Sequence, residues 1–452
     1  MSEPSPQFDA QALHEQSTIV DLHAHPVFKA FLFRRSLTRI VKAPSFLVGQ
    51  LNPLDFQTSL PKLSEGKIDV LMSTGYPLEK RLFEDIKLAG LIPLKFLKVI
   101  PLSVVREFWR KVATPPYFTV ANTMLDFMED QVCQYNKDQA KKKNEVKGRP
   151  AVFACSTGEL DAALARTDHP IILIHAMEGG HCFEGEAANR HLKERWEQLT
   201  QADRDAIRME VLHNVQTLFD KGVAYVVLAH FYPNRLVMPV FPYPDHNALS
   251  LLTRKDMENV WRDVRLTEGL TELGREVVEK MVDLGMLIDV THATPRARRE
   301  IYDIVHAKVG TTRPCVIATH VGAYALNPSP YNLQDWEIEW IAEHHGVIGV
   351  IFMSYWLDPG NPTFGLNQIV QTIAYMMRAA GDLGPETIGI GTDFDGADPP
   401  DDLVDASKMH YLTERLYAEF DHTGKRMFTD DQIKAILGGN ALRVLRAGWG
   451  KH

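Results

Sequence analysis

Eight short apolar runs, rich in β-branched residues, alternate along the chain with segments long enough to form helices. The runs are TIVDLHAH (18–25), KIDVLMSTG (67–75), PIILIHAM (170–177), AYVVLAHF (224–231), MLIDVTH (286–292), CVIATH (315–320), GVIGVIFM (346–353) and TIGIGTDF (387–394). Such runs are typical of strands buried on both faces, and a strand followed by a helix eight times is typical of a (β/α)8 TIM barrel. We therefore predict that residues 1–452 form a single α/β barrel domain.

An open, doubly wound sheet would show the same alternation, so periodicity alone does not separate the two folds. No GxGxxG or P-loop motif follows any run, and a nucleotide-binding open sheet therefore lacks support. The residues at the ends of the runs, described below, favour the barrel. An additional short strand, AVFACS (151–156), is predicted before the third run, and a closing helix pair is predicted in DDQIKAILGGNALRVLRAG.

Composition limits the partners and the compartment. The net charge is -9, which gives no global positive field for binding nucleic acid. The four cysteines show no CxxC spacing, so we expect free thiols in a reducing compartment. The sequence carries no recognisable signal peptide or transmembrane run, so the predicted location is cytoplasmic.

Two segments are longer than barrel connections require. Residues 26–66 and 76–150 follow the first and second runs, on the face where barrels build their active sites, and 76–150 could form an inserted lid or subdomain. Within them, 29–42 and 88–111 mix lysine and arginine with large apolar residues. Two interpretations stay open: a lid whose cations point to water, or peripheral contact with a membrane surface.

Six of the eight runs end in a residue that can bind a metal ion or move a proton. These residues are His23 and His25, then Glu178 with His175 and His181 beside it, then His230, His292, His320, and finally Asp393 with Asp395. Because the carboxyl ends of barrel strands meet at one mouth, we expect most of these side chains to converge. Four imidazoles, a shared carboxylate and a further acid or base are what a two-metal hydrolase needs.

Six motifs in order then resemble those of the membrane dipeptidase (renal dipeptidase) family, peptidase family M19 of the amidohydrolase superfamily. They are VDLHAHP, HAMEGGH, GMLIDVTHAT, VIATHVGAY, GIGTDFDGA and GGNALRVLRA, and they span nearly the whole chain. The resemblance implies a metal-dependent hydrolase that cleaves a dipeptide or related amide bond with a hydroxide bridging two metal ions. It also implies a small-molecule substrate and a homodimer.

The resemblance assigns roles to particular residues. It places His23 and His25 on one metal, His292 and His320 on the second, and Glu178 between them. His230 would face the scissile carbonyl and Asp393 would shuttle the proton. Zinc is the expected metal, with iron, manganese or cobalt as alternatives. We expect Asp395 and the buried Cys182 to be structural, and His175 and His181 to be either donors that orient Glu178 or ordinary loop residues.

Two positions depart from the family pattern. His25 replaces a usual aspartate, which leaves the first metal site one negative charge poorer. Tyr331 stands where the family carries an arginine associated with the free carboxylate of a dipeptide, and tyrosine cannot replace that bidentate clamp. An esterase, lactonase or N-acyl amino acid hydrolase therefore stays open as an alternative, as does a non-catalytic binding barrel.

Overall fold

The computed structural model describes residues 6–40, 56–85, 109–142, 147–194, 196–240, 265–358 and 364–450. The strands are β1 (Val20–Ala24), β2 (Val70–Gly75), β3 (Ala151–Phe153), β4 (Ile171–Glu178), β5 (Val223–Val227), β6 (Leu287–Asp289), β7 (Val316–Val321), β8 (Ile348–Val350) and β9 (Ile388–Ile390). The α-helices are Pro6–Gln16, Pro26–Phe33, Leu60–Glu65, Lys80–Asp85, Tyr117–Lys141, Thr157–Leu164, Glu186–Arg190, Gln201–Asp220, Glu272–Leu284, Pro295–Val309, Asp335–Glu343, Ser354–Leu357, Leu366–Ala379, Gly384–Thr387, His410–Tyr417, Asp430–Lys434 and Asn440–Gly448.

The strands form a closed parallel barrel. Their order is β2-β1-β9-β8-β7-β6-β5-β4, and β2 also pairs with β4, which closes the ring of eight strands. The short strand β3 pairs in parallel with the first residues of β4 and lies outside the ring. The predicted (β/α)8 barrel is therefore confirmed, and the additional strand lies in its predicted range.

Local sequence signals explain where the barrel helices begin and end. The helix Glu272–Leu284 begins after Thr271, whose side chain accepts a hydrogen bond from the Gly274 amide, and it ends at Gly285 in the left-handed conformation. The helix Pro295–Val309 begins in the same way after Thr294, with proline at its first position. Both helices bury an apolar face in the main hydrophobic core.

The C-terminal segment lies at the amino-terminal ends of the strands. A Cβ atom added to Gly438 or Gly448 would collide with the carbonyl oxygen of Thr18 or Pro314, just before β1 and β7. The predicted closing helix pair is present as Asp430–Lys434 and Asn440–Gly448, joined by a wider turn over Ala435–Gly439. The side chains that follow the strands therefore lie at the other end of the barrel, where the strands have their carboxyl ends.

The two long insertions are described in part. The helix Tyr117–Lys141 buries residues such as Met124, Leu125 and Met128 in the same core as the barrel strands. Residues 41–55 and 86–108 lie outside the described residues, and with them most of the basic and apolar range 88–111. The lid or subdomain over 76–150 therefore stays a prediction.

One expectation about the first insertion is wrong. Lys29 does not point to water: it is buried, and its Nζ lies 2.7 Å from Asp395 Oδ1. The reason is that a buried carboxylate next to the lysine compensates for the lost hydration of both charges. Arg34 and Arg35, just beyond the helix Pro26–Phe33, are exposed as expected. No helix in the described ranges has the length and hydropathy needed to cross a membrane.

Candidate metal centre

The carboxyl ends of six barrel strands bring the sequence-predicted side chains together. His23 lies in β1, Glu178 is the last residue of β4, and His320 lies in β7. His230, His292 and Asp393 each follow a strand by three residues. All of these side chains are buried. The convergence expected from the sequence is therefore observed.

Glu178 lies at the centre, with five imidazoles around its carboxylate. Its Oε1 lies 3.2 Å from His292 Nε2, 3.5 Å from His320 Nε2 and 3.6 Å from His23 Nε2. Its Oε2 lies 3.1 Å from His25 Nε2 and 3.4 Å from His230 Nε2. A buried carboxylate with so many ring nitrogens aimed at it is typical of a metal centre.

The donor atoms divide into two groups that share Glu178. His23, His25 and Glu178 form one group whose donor atoms all lie within 4.8 Å of one another, and Glu178, His292 and His320 form the other. Within each group two ring nitrogens face each other closely: 3.1 Å separates the Nε2 atoms of His23 and His25, and 3.2 Å separates those of His292 and His320. Glu178 Oε1 is buried without a hydrogen-bond partner among the described residues. Divalent cations would satisfy all of these lone pairs, so the residues fit a metal centre.

His25 differs electrostatically from the other imidazoles. Burial alone would lower its pKa, but hydrogen bonds to Asp393, at 3.3 Å, and to Glu178 raise the pKa to about 10. In contrast, burial lowers the pKa of His23 and of His320 well below the usual value. His25 therefore lies between two carboxylates, where the family pattern would place a third one.

The two carboxylates beside His25 also differ from each other. Burial would raise the pKa of Glu178, but the surrounding imidazoles, His230 and His23 foremost, hold it well below the usual value. The pKa of Asp393 is raised by burial, against the opposing effect of His25. A carboxyl group with a raised pKa is better suited to exchange a proton near neutral pH.

His230 is oriented by Glu79, a residue that the sequence did not single out. His230 Nδ1 lies 3.2 Å from Glu79 Oε2, and the same carboxylate accepts hydrogen bonds from the Tyr76 hydroxyl and the Tyr232 amide. Because Nδ1 faces Glu79, Nε2 faces Glu178 and the centre. Glu79 lies just after β2, and only its proximity to a strand end could have pointed to it.

Two further buried carboxylates lie beneath the centre and were also missed. Asp21 accepts hydrogen bonds from the amide and hydroxyl of Thr392, and burial raises its pKa to about 7. Asp289 contacts Thr291 and Thr319, and burial raises its pKa to about 6. Both precede a predicted ligand by two or three residues, inside runs that were interpreted as plain strands.

The backbone at the mouth adopts unusual conformations. His292, Asp393 and Asp395 have φ values of 65°, 55° and 68°, in the left-handed region that residues other than glycine rarely occupy. Such conformations persist where the surrounding structure enforces them, and they are concentrated at functional sites. Next to them, a Cβ atom on Gly396 would lie 2.6 Å from His25 Cδ2, so only glycine fits there.

Four residues named from the sequence lie away from Glu178. Asp395 binds Lys29 and the amides of Gln57 and Thr58, which fits the expected structural role. His175 is on the opposite face of β4, stacked on Phe153 and 3.1 Å from Glu129. His181 Nε2 lies 2.6 Å from the carbonyl oxygen of Pro77. Burial raises the pKa of the Cys182 thiol well above its usual value, which argues against a nucleophile.

Tyr331 is part of the aromatic wall near the second group of ligands. Its hydroxyl donates to the carbonyl oxygen of His320 at 2.9 Å. Its ring stacks on Trp356, with 4.0 Å between centroids, and lies 5.0 Å from the His292 ring. The hydroxyl proton is therefore engaged by the protein itself, so Tyr331 is not arranged to clamp an anionic group.

Comparison with known proteins agrees with this geometry. Residues 209–448 match the sequence model of the membrane dipeptidase family, peptidase family M19. An uncharacterized protein from the pqqA 5′ region of Klebsiella pneumoniae is 33% identical over 187 residues, which is 40% of this chain and 62% of that protein. An uncharacterized dipeptidase of Schizosaccharomyces pombe is 27% identical over 248 residues, which is 53% of this chain and 51% of that protein. The chain thus covers less than two thirds of either relative.

The fold also matches solved structures over nearly the whole chain. A metallopeptidase from Rhodobacter sphaeroides, solved with a phosphinate mimic of the dipeptide L-Ala-D-Ala, superposes with a TM-score of 0.60 at 19% identity. The match covers 96% of this chain and 99% of that one. At this level of identity the similarity establishes the fold alone.

Proposed function

Because the chain belongs to the membrane dipeptidase family, peptidase family M19, we propose that it is a metal-dependent hydrolase that cleaves the amide bond of a dipeptide or a related small molecule. The observation that carries the proposal is the buried Glu178 carboxylate with five imidazole nitrogens within 3.6 Å. A barrel that only binds a ligand has no need for this concentration of metal-ligand side chains.

The donor groups support a binuclear centre. In the proposal, His23 and His25 hold one divalent ion, His292 and His320 hold the other, and Glu178 contacts both. Zinc suits imidazole and carboxylate donors best, and iron, manganese and cobalt are the alternatives. When bound, two such ions would act as Lewis acids that polarise a carbonyl group and lower the pKa of water towards neutrality.

In the proposal, two further side chains would do the accompanying chemistry. Asp393, with its raised pKa and its contact to His25, would take the proton of the attacking water and return it to the leaving amine. His230, fixed through Nδ1 by Glu79, would donate a hydrogen bond to the oxygen on which negative charge develops. Glu178 would hold the two halves of the site at a fixed separation.

The surroundings of Tyr331 favour a second class of substrate. Its hydroxyl is engaged by the His320 carbonyl and its ring by Trp356, so it offers no clamp to a free carboxylate. Substrates without that charge, such as dipeptide amides, esters or lactones, are therefore the alternative to dipeptides. N-acyl amino acids, which keep the carboxylate but lack the free amine, form a further class for comparison. Contact with a membrane surface through 29–42 and 88–111, and a homodimer, are further predictions about partners.

A substrate panel tests the proposal. The purified protein, loaded with zinc or manganese, would be assayed on L,L and L,D dipeptides, their C-terminal amides and N-acyl amino acids. We expect chelator-sensitive hydrolysis that Glu178→Gln abolishes, whereas Glu339→Gln, at an exposed helix position, leaves it intact. Preference for the amides over the free dipeptides would support the Tyr331 argument. Activity that survives removal of metal by a chelator, or full activity in Glu178→Gln, would contradict the proposal.

A further inference from the structure

The hydroxyl of Thr319 lies between two of the imidazoles and a buried carboxylate. Thr319 Oγ1 is 3.1 Å from His23 Nδ1 and 2.9 Å from His320 Nδ1, and it makes a short contact with Asp289 Oδ2. The four residues come from β1, β6 and β7, and each is at most 1% exposed. The group is therefore out of contact with bulk solvent, and its protons can be assigned from the hydrogen bonds that its own members make.

The Asp289 carboxylate acts as an acceptor on both oxygens. Its Oδ1 receives hydrogen bonds from the Thr291 amide at 2.9 Å, the Thr291 hydroxyl at 2.7 Å and the Thr319 amide at 3.2 Å. Its Oδ2 faces the Thr319 hydroxyl. A hydroxyl has one proton, so the proton of Thr319 is directed to Asp289 and its oxygen is left with two lone pairs to accept hydrogen bonds.

Those two lone pairs face the Nδ1 atoms of His23 and His320. A neutral imidazole carries its proton on one nitrogen only, and an unprotonated Nδ1 would here meet an oxygen that has no proton to offer. His23 Nδ1 also lies 3.0 Å from the Tyr225 hydroxyl, which donates its own proton to the Leu22 carbonyl at 2.7 Å. The two hydroxyl oxygens that the described residues bring to these Nδ1 atoms, those of Thr319 and Tyr225, are therefore both acceptors.

We propose that the Thr319 hydroxyl, held by Asp289, fixes His23 and His320 in the tautomer with the proton on Nδ1, so that both Nε2 lone pairs are directed towards Glu178. Thr319 is thus a positioning residue that links the two halves of the site. It belongs to neither group of metal donors and contacts one imidazole of each. The proposal rests on the proposed function for the assignment of the imidazoles to metal ions, but the hydrogen bonds do not depend on it.

The same geometry argues against a third cation site. Donor atoms of His23, Asp289 and His320 also lie within 4.8 Å of one another, which could be taken for a metal cluster. Thr319 Oγ1 lies within 3.1 Å of both Nδ1 atoms and contacts Asp289, so the space between them already holds a hydroxyl. The group is a hydrogen-bonded support for the neighbouring ligands.

The test compares Thr319→Val, which removes the hydroxyl at nearly constant volume, with Thr319→Ser, which keeps it. Thr413→Val is the matched control, because Thr413 is also buried and its hydroxyl lies 2.8 Å from the Nδ1 of His14, in the remote helix Pro6–Gln16. The first measurement is the tautomer of His320 and His23 in the metal-free protein, from long-range ¹H–¹⁵N correlation spectra. The second is a calorimetric titration with zinc, and thermal melts establish that each variant is folded.

In the wild-type protein and in the Thr319→Ser and Thr413→Val variants, we expect the imidazoles of His23 and His320 to carry the proton on Nδ1. In Thr319→Val, His320 becomes a mixture of tautomers, while His23 keeps Tyr225 as an acceptor and changes less. Loss of an outer hydrogen bond to a metal-binding histidine typically weakens metal affinity by about 10–100-fold, and we expect that change in at least one binding step of Thr319→Val.

A folded Thr319→Val variant with unchanged tautomers and unchanged zinc affinity would overturn the proposal. So would a Thr319→Ser variant that behaves like Thr319→Val, because the effect would then not come from the hydroxyl. The tautomer measurement needs no metal and no substrate. A wild-type protein with the expected tautomers that hydrolyses nothing would therefore count against the proposed function and not against this inference.

Discussion

Buried ionisable side chains fall into two kinds in this protein. Those around Glu178 depend on one another, because each imidazole faces the same carboxylate. Others are paired with side chains outside that cluster, such as Lys29 with Asp395 or His14 with Thr413. The second kind supports folding, whereas the first leaves pairs of Nε2 atoms facing each other and would be satisfied by the divalent cations of the proposed centre.

His14 should make stability depend on pH in a predictable direction. Burial, followed by the nearby charge of Lys67, lowers its pKa to about 4, whereas the unfolded chain titrates near 6.5. The unfolded state therefore binds more protons between these values, and the free energy of unfolding falls as pH decreases from 6.5 towards 4. At pH 5 this protonation difference lowers the free energy of unfolding by about 2 kcal/mol relative to neutral pH.

Urea unfolding of the wild type and of His14→Asn at pH 7 and pH 5 measures this contribution. The variant cannot be protonated at this position, so it should lose less stability than the wild type on acidification. Equal losses in the two proteins would show that His14 does not titrate as described.

His25 is predicted to hold one of two metal ions. His25→Ala removes a donor from the group formed with His23 and Glu178, and it leaves the group of Glu178, His292 and His320 complete. Elemental analysis should therefore find about one divalent ion per chain in this variant. His175→Ala, on the opposite face of β4, is the control and should keep the wild-type content. Unchanged metal content in His25→Ala would mean that His25 only bridges Glu178 and Asp393.

The convergence of the strand-end side chains could be predicted from the sequence because a histidine or a carboxylate at the end of an apolar run is distinctive, and six such runs in one chain are more so. Glu79, Asp21 and Asp289 could not be predicted in this way. Their importance comes from contacts with residues far along the chain, such as His230 at 3.2 Å from Glu79. A carboxylate in a single sequence carries no sign of which distant side chain it will meet.

At the level of elements, His230, His292 and Asp393 lie in loops that follow strands, whereas His23, Glu178 and His320 lie in the strands themselves. The run at 224–231 was predicted as one strand, but β5 ends at Val227. Beyond it, Glu79 accepts from the amides of Phe231 and Tyr232, which takes the chain out of the sheet. His230 therefore projects from a loop, where a side chain can reach across the mouth.

Gly396 provides a test of this close packing. An alanine methyl group there would press on His25 and Asp393, so we expect Gly396→Ala to lower kcat/KM by about 10²-fold while the protein stays folded. Gly158→Ala is the matched control, because a Cβ atom at that helix position meets nothing within 4 Å. Similar activities of the two variants would show that the loop after β9 tolerates displacement.

The strands were predicted more successfully than the insertions. Each of the nine predicted strand ranges overlaps an observed strand, because a continuous apolar run is a local signal. The helix Tyr117–Lys141 was not recognised, since its apolar residues are interspersed with polar ones over a long segment and its partners are distant. Tertiary packing, which the sequence shows only indirectly, determines such elements.

At the level of the whole molecule, the barrel separates stability from function. The helix Asn440–Gly448 lies at the amino-terminal ends of the strands, and the histidine and glutamate side chains of the candidate metal centre lie at the carboxyl ends. Metal ions held by side chains from four of the strands, as proposed, would tie the ring together, because a ligand that binds only the folded state stabilises it. Metal and fold should therefore be thermodynamically linked.

Removal of metal should lower the unfolding temperature. At a free zinc concentration about 1,000 times the dissociation constant, the linkage contributes about 4 kcal/mol. Thermal melts of metal-loaded and chelated protein should differ by several degrees, and returning zinc should restore the higher value. Glu178→Gln should show little of this difference. Identical melts in the wild type, with and without chelator, would contradict the linkage.

The most direct test of the binuclear hydrolase account is a titration of metal-free protein with zinc while hydrolysis of the best substrate is followed. We predict that activity rises to a plateau at about two equivalents of zinc per chain and that it is absent without metal. A plateau at about one equivalent, or activity that does not respond to metal, would contradict the account.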